Sequence, residues 1–393
     1  MAIKDVLDNK RILIFGYGRE GKSTEAYIKN HVRYKSLDVF EGKIEDIDED
    51  KYDIIMKSPG IVMLGHNDKY SSQTELFINE YHDRIVGVTG TKGKSTTSAM
   101  LAHTLNECGK KAILLGNIGK PCFDMIDEID DNTIVVFELS CHQLLHIDKA
   151  PHIAVFLNLF EEHLDYYGTM DKYFGAKANI IFHQGSYDIA YIGENVPEIV
   201  SDTEKHVIYG CEHDFDLSIP GEHNKLNAEF VFRIAVDEFG CDINDAIEAI
   251  NSYKGLPHRL EYFATVNDVK FYDDSISTIP EAAISAAISI PNAKTLIIGG
   301  MDRGIDYNIL VDFIKERKDI LFILCYATGE RIYSDVKECN NCIFVSDLKE
   351  AVIIAKKETK PGNACVLSPA APSYGYFKNF EDRGQQFKEM VVT

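Results

Sequence analysis

The 393-residue chain carries 62 acidic against 41 basic side chains, a net charge of −21. A phosphate-backbone binder needs clustered Lys and Arg, so this balance argues against a nucleic-acid partner; any anionic ligand must be met by local positive sites. Hydrophobic residues at 45% and charged residues at 26% make an ordinary globular mixture with room for two or three cored domains.

The opening MAIKDVLDNK lacks the basic-plus-apolar pattern of a secretory signal. Strands are predicted at 11–15, 54–56, 85–89, 133–138, 153–158, 295–299, 321–326 and 364–368, several of them nearly continuous apolar runs of the kind that parallel strands covered on both faces require. Helical patterns fill the gaps, for example 95–108, 223–238 and 280–289. Repeated βαβ alternation predicts an α/β chain. One boundary is read before Ile85, after the polar stretch 79–84, and a second at 254–257, where a Gly-Leu-Pro turn follows a helix. These give domains at 1–84, 85–254 and 255–393. The longest apolar runs fall far short of the ~20 residues that span a bilayer. Nine scattered cysteines, with Cys339 and Cys342 in a lone C-x-x-C, do not read as a disulfide framework or a zinc finger. A cytoplasmic monomer without membrane insertion is expected.

Two glycine loops compete for a nucleotide. The first, Gly16-Tyr17-Gly18-Arg19-Glu20-Gly21-Lys22-Ser23, fits both G-x-G-x-x-G and the P-loop string G-x-x-x-x-G-K-[ST]. The second, Thr89-Gly90-Thr91-Lys92-Gly93-Lys94-Ser95-Thr96, fails that string, because Val88 stands where its first glycine belongs. Both follow a strand and open a helix, so backbone N–H groups can face an anion in either. Chemistry favours the second. Lys94 can reach β- and γ-phosphates and Ser95 can sit on Mg²⁺, while neighbouring strands end in the polar Glu138 and Asn158, with His163 just beyond. A dinucleotide-dependent oxidoreductase built on the first loop would leave the second unexplained. A non-catalytic nucleotide-binding regulator would tolerate Lys94→Ala.

TGTKGKST at 89–96 resembles the ATP loop of the Mur ligases, T-G-[TS]-x-G-K-[ST]-[ST]. The resemblance continues in order along nearly the whole chain. It takes in SPGI from Ser58 and NIG from Asn117, ELSCHQL from Glu138, and NLFEEHLD from Asn158 through His163. It goes on with AK ending at Lys177, GEHNKLN from Gly221 to Asn227, GLPHRLE from Gly255 through Arg259, SPAAPS ending at Ser373, and FKNFEDRG from Phe377 through Phe380. The SPGI, GLPHR and FKNFE-x-RG elements point to the D-glutamate-adding branch of that family.

The resemblance implies a Rossmann-like N-terminal domain, a P-loop NTPase-like central one and a Rossmann-like C-terminal one. It implies an ATP- and Mg²⁺-dependent carboxylate–amine ligase that phosphorylates a carboxylate and lets an amine displace phosphate. Gly90, Thr91, Lys92, Gly93, Lys94, Ser95, Thr96, Asn227, Arg259 and Asp274 would bind ATP. Ser95 and Glu138 would hold a first Mg²⁺. His163 and Lys177 would serve a second, with Lys177 carbamylated into a carboxylate, since an ammonium cannot ligate a cation. Lys94, His163 and Lys177 would be catalytic. A UDP-linked muramoyl substrate would lie on Gly18, Arg19, Glu20, Ser58, Gly60 and Asn117, and an amino acid, D-glutamate, on Thr278, Arg303, Ser373 and Phe380. The family's N-D-S-K-A-T-N departs to Asp273-Asp274-Ser275-Ile276-Ser277-Thr278-Ile279, which loses a lysine at Ile276; His142 replaces an aromatic beside Cys141. A Mur-type or folylpolyglutamate-synthase-like ligase for another carboxylate or amino acid is the alternative.

Overall fold

The computed structural model describes residues 2–61, 63 and 67–393, the side chain of Asp165 excepted. Three sheets carry this chain. The first joins β1 (Arg11–Phe15), β2 (Ser36–Phe40), β3 (Ile54–Lys57) and β4 (Tyr70–Ser71) in the order β2-β1-β3-β4, all parallel. The second joins β5 (Ile85–Thr89), β6 (Lys111–Gly116), β7 (Thr133–Glu138), β8 (Ile153–Phe156), β9 (Ile189–Gly193) and β10 (Glu204–Ile208) in the order β10-β9-β8-β5-β7-β6, again all parallel. The third joins β11 (Glu261–Val266), β12 (Val269–Asp273), β13 (Ala293–Gly299), β14 (Leu321–Cys325), β15 (Cys342–Val345) and β16 (Ala364–Leu367) in the order β11-β12-β16-β13-β14-β15; β11 alone runs antiparallel to its neighbour.

Every side chain of β5 and β8 is buried, as a strand with helices on both faces must be. These runs are visible in the sequence, and the predicted strands lie within two residues of the observed ones. Of the strands that were not predicted, β6, β9 and β12 are largely buried, while others are of a different kind. β2 (SLDVF) and β10 (EKHVI) are sheet edges whose side chains are largely solvated, so no apolar run marks them. The predicted helix 223–238 is α-helical over His223–Arg233 and continues as a π turn over Ile234–Glu238.

The described chain forms two compact units, Met1–Phe215 with Lys225–Asn251, and Asp216–Asn224 with Ser252–Thr393. The first unit holds the first two sheets, and one apolar core runs through both. Phe77, on the helix Gln73–Tyr81, meets Phe137 of β7 edge-on at 5.5 Å, and Tyr27 rests on Phe123 at 4.7 Å. The second unit has a core on each face of its sheet. Consecutive residues of β13 alternate between them: Leu296 and Ile298 pack with Leu310 and Ile314, while Ile297 packs with Phe387 and Val391. Among the described residues no helix is long and apolar enough to cross a membrane.

Phe77 is fully buried at the seam between the first two sheets. Phe77→Ala should therefore cost the first unit about 3–5 kcal/mol, read as a lowered midpoint in guanidinium unfolding. An unchanged midpoint would mean that the seam does not hold the two sheets together.

Candidate active site

β5 is flanked by β7 and β8, and the carboxyl ends of all three strands converge on the second glycine loop. Asn158, two residues past β8, clips the loop with both ends of its amide. Its Oδ1 accepts from Lys92 N at 2.9 Å, and its Nδ2 donates to Lys92 O at 3.0 Å. The Thr91 hydroxyl donates to the Phe160 carbonyl at 3.2 Å and accepts from Phe160 N at 2.9 Å. Asn158 is thus spent on holding the loop. Gly93 caps the helix Lys94–Glu107 at φ +84°, where a side chain is strained, and an added Cβ would come within 2.7 Å of Asn227 Oδ1. Asn227 therefore lies against the loop at the point where the helix begins.

Two lysines meet at one carbonyl. Lys94 Nζ donates to Gly90 O at 2.9 Å and to Thr91 O at 3.0 Å; Lys177 Nζ donates to the same Gly90 O at 2.8 Å. Lys177 is 1% exposed. Burial, reinforced by the Lys94 charge, pushes its ammonium down to about 7; burial likewise pulls Lys94 below the ordinary lysine value. Glu138, at the end of β7, is fully buried. Its Oε1 accepts from Asn117 Nδ2 at 2.7 Å, and its Oε2 has no hydrogen-bond donor among the described residues. His163 caps the next helix with φ +57°, its exposed ring 5.9 Å from Tyr173 and 5.4 Å from His142.

The first glycine loop follows β1, at the point where strand order reverses between β1 and β3. The Ser58 hydroxyl donates to Gly16 O at 2.9 Å. The Arg19 guanidinium donates to the Gly119 carbonyl, beside Asn117. Burial raises Glu20 to about 7, and its Oε1 accepts from Gln143 Nε2 at 3.0 Å. Burial brings Lys57 down to about 8, with Glu20 as its nearby counter-charge. Gly18 and Gly60 leave open space where a Cβ would stand. Hydrogen bonds from Arg19 to Gly119 O and from Asn117 to Glu138 thus link the first loop, the Asn117 turn and the Glu138 strand end.

In the second unit, Asp274 is buried, with Oδ1 accepting from Leu260 N at 3.2 Å and Oδ2 from the Ser368 hydroxyl at 2.7 Å. Burial raises it to about 7 against the opposing pull of Arg259. Arg303 Nη2 donates to Thr278 O at 3.0 Å, which joins two of the predicted amino-acid contacts. Phe380 O accepts from the Ser275 hydroxyl at 2.8 Å, and Ser373 O accepts from Phe377 N at 3.0 Å. Arg383, 1% exposed, ties these segments together through Ser275 Oγ and the carbonyls of Ser275 and Ala371.

Residues 88–214 match the family described as Mur ligase middle domain. The UDP-N-acetylmuramoylalanine--D-glutamate ligase of Streptococcus thermophilus is 30% identical, over 97% of this chain and 97% of its own. The enzyme of that name from Streptococcus uberis is 31% identical, over 97% and 96%. The chain belongs to the Mur ligase family. The crystal structure of MurF ligase from Thermotoga maritima in complex with ADP shares the fold, with a TM-score of 0.57 at 17% identity over 100% of this chain and 96% of that one.

For this Mur ligase, sequence reasoning gave no part to Lys57, Gln143 or Arg383. Gln143 sits inside the quoted ELSCHQL stretch, but its reach to Glu20 depends on two segments 123 residues apart. Lys57, a cation ending a buried strand just before Ser58, carried a usable signal.

The low value of Lys177 has a sign that can be tested. The unfolded chain keeps this proton to about 10.5, whereas the folded chain releases it near 7. Between those values the unfolded state binds more protons, so stability contributed by this group rises with pH above 7. In CO2-free buffer the unfolding free energy should climb between pH 7 and 9, and Lys177→Met should flatten that climb, leaving the part contributed by Lys57 and Lys94. Equal slopes in both proteins would refute the buried ammonium.

Proposed function

We propose that this Mur ligase joins D-glutamate to the alanyl carboxylate of UDP-N-acetylmuramoyl-L-alanine, with ATP converted to ADP and phosphate, in peptidoglycan precursor synthesis. The observation that carries the chemistry is the convergence of Lys94 and Lys177 on Gly90 O near the buried Glu138. The choice of substrates rests on the name borne by relatives that span almost the whole chain. We read 1–84 as a Rossmann-like domain for the UDP substrate, 85–254 as a P-loop NTPase-like domain and 255–393 as a Rossmann-like domain for the amino acid. The parallel orders and the glycine loop at each of the first two switch points support that division.

A carboxylate is a poor electrophile. Its oxygen takes the γ-phosphoryl group as the β–γ bridging bond breaks, leaving ADP and an acyl phosphate. The amine nitrogen then attacks the carbonyl carbon, the bond to phosphate breaks, and the nitrogen gives up a proton. Lys94 and the backbone N–H groups opening the helix Lys94–Glu107 would neutralise the β- and γ-oxygens. The unpartnered Oε2 of Glu138 is a hard oxygen donor suited to Mg²⁺, with Ser95 beside the loop as its companion. When bound, Mg²⁺ supplies charge neutralisation on phosphate oxygens. Lys177, with a neutral amine available near pH 7, would accept CO2 with loss of a proton and so become an anionic ligand, joined by His163. Within the first unit Asn227 is read as a further ATP contact; in the second, Arg259 and Asp274 are read as nucleotide-binding residues and Arg303 as the answer to the side-chain carboxylate of the amino acid.

The decisive assay is phosphate release from ATP and Mg²⁺ with UDP-N-acetylmuramoyl-L-alanine and a panel of amino acids. D-Glutamate should support turnover; release with another amino acid but not with D-glutamate would overturn the substrate reading, for which Ile276 is the residue to suspect. Lys94→Ala should lower kcat by about 10²–10³-fold in a protein that still folds, and unchanged turnover would remove the ATP loop from the mechanism.

Arg303→Met provides a separate check on the amino-acid site. It should raise KM for D-glutamate while leaving KM for ATP unchanged. An equal rise in both would take Arg303 out of amino-acid recognition.

A further inference from the structure

At the other end of the central sheet, three side chains outside the proposed chemistry converge. His82 immediately precedes β5 by way of a short 3₁₀ turn, His152 stands directly before β8, and Asp188 directly before β9. These three strands are neighbours in the sheet, so their amino ends bring the residues together. His82 Nε2 lies 3.1 Å and His152 Nδ1 2.9 Å from the same Asp188 Oδ1. All three donor atoms lie within 4.8 Å of one another.

The hydrogen bond at His82 Nδ1 fixes what its other nitrogen can offer. Its Nδ1 lies 2.6 Å from the carbonyl of Ala150, which only accepts, so Nδ1 must carry a hydrogen. In the neutral ring Nε2 then presents a lone pair, and it presents it to a carboxylate oxygen. The other oxygen, Oδ2, is already held by Gly185 N at 2.8 Å. With His152 in the tautomer that leaves Nδ1 unprotonated, a cation at that point satisfies both nitrogen lone pairs and the anionic oxygen together. A histidine whose second nitrogen donates to a backbone carbonyl is the usual outer-shell arrangement of a metal ligand, fixing tautomer and ring orientation. Tetrahedral zinc, with bonds of about 2.0–2.1 Å, spaces its ligand atoms about 3.3 Å apart. The two measured separations approach that spacing.

We propose that His82, His152 and Asp188 form a structural site for a divalent transition metal of the zinc type, clamping the amino ends of β5, β8 and β9. Two imidazoles and one carboxylate suit zinc rather than Mg²⁺ or Ca²⁺, which take oxygen. Asp188 is anchored independently, because its main-chain oxygen accepts from the Thr203 hydroxyl at 2.5 Å and from Glu204 N at 3.3 Å. His152, one-third exposed, leaves the fourth position open to water, with Asp83 Oδ1 3.6 Å from His82 Nε2. The site is separated from the Gly90 loop by the length of β5, roughly 16 Å at about 3.3 Å per residue, so it acts on stability and not on the reaction.

The full chain, stripped with a chelator, would be titrated with Zn²⁺ by calorimetry and with Co²⁺ by visible absorption. One equivalent should bind, Co²⁺ should give tetrahedral d–d bands without a thiolate charge-transfer band, and Zn²⁺ should raise Tm. His152→Gln, at the most exposed ligand, should weaken binding by more than about 100-fold without unfolding the protein; Asp188→Asn gives a second reading. Absence of binding to the wild-type chain would overturn the proposal. So would binding that survives His152→Gln and carries a thiolate band, which would locate the metal at Cys141, His142 and His163. A ¹⁵N spectrum of the Zn²⁺-saturated protein with both His82 ring nitrogens protonated would likewise replace the metal with an ion pair.

Discussion

The carbonyl of Gly90 accepts from two ammonium groups, Lys94 and Lys177, and the rest of the central site follows from that crowding. Two cations sharing one neutral acceptor out of water repel each other, and each also loses hydration. Glu138 offsets part of this charge, and its Oε2 meets no hydrogen-bond donor among the described residues. Such a cluster can relax in two ways. An anion can bring negative charge to Lys94, or Lys177 can give up its proton. Both routes belong to the chemistry of an ATP-consuming ligase, which gives a physical reason for placing a buried lysine beside a nucleotide loop.

The crowding persists because the groups sit on rigid strand ends. β5, β7 and β8 are continuous apolar strands locked side by side, and Glu138, Asn158 and the loop itself sit at or just past their carboxyl ends. Asn158 fixes the loop backbone through both atoms of its amide, so Lys94 inherits the position of the sheet, while Lys177 reaches Gly90 O from the helix Met170–Phe182. The core shared by the first two sheets extends this order to the first glycine loop. There Glu20, Gln143 and Lys57 form a buried polar chain whose members lie in three separate sequence segments.

How much of this was legible depended on whether the cause was local. Many buried parallel strands announce themselves, because burial on both faces demands apolar runs, and 11–15, 85–89 and 133–138 were read to the residue, although the buried β9 was not predicted. Edge strands such as β2 and β10 escape that rule because solvent covers part of each. The loop at 89–96 could be preferred over the string-perfect one at Gly16 because strand-end polar residues follow it in the chain. The pairing of Lys94 with Lys177 and of Glu20 with Gln143 could not be derived from spacing alone, because each joins segments that only the folded sheet brings together.

Arg383 shows the same limit from the opposite side. In the sequence it stands in the FKNFEDRG motif, with no part assigned to it. In the structure it is buried, burial lowers it to about 10, and it donates to Ser275 Oγ and to the carbonyls of Ser275 and Ala371. Gly384, beside it, is required because a Cβ would strike His258 Nδ1 and Asp273 Oδ2, which are themselves paired at 2.7 Å. The Arg-Gly pair therefore lets the last helix approach the sheet and pins the segments that carry Thr278, Ser373 and Phe380. A guanidinium satisfied by carbonyls has no fixed anion to compete with, and it keeps those segments in place whichever ligand they meet. Its part is to hold the segments proposed to meet the amino acid, and the motif is a signature of that scaffold.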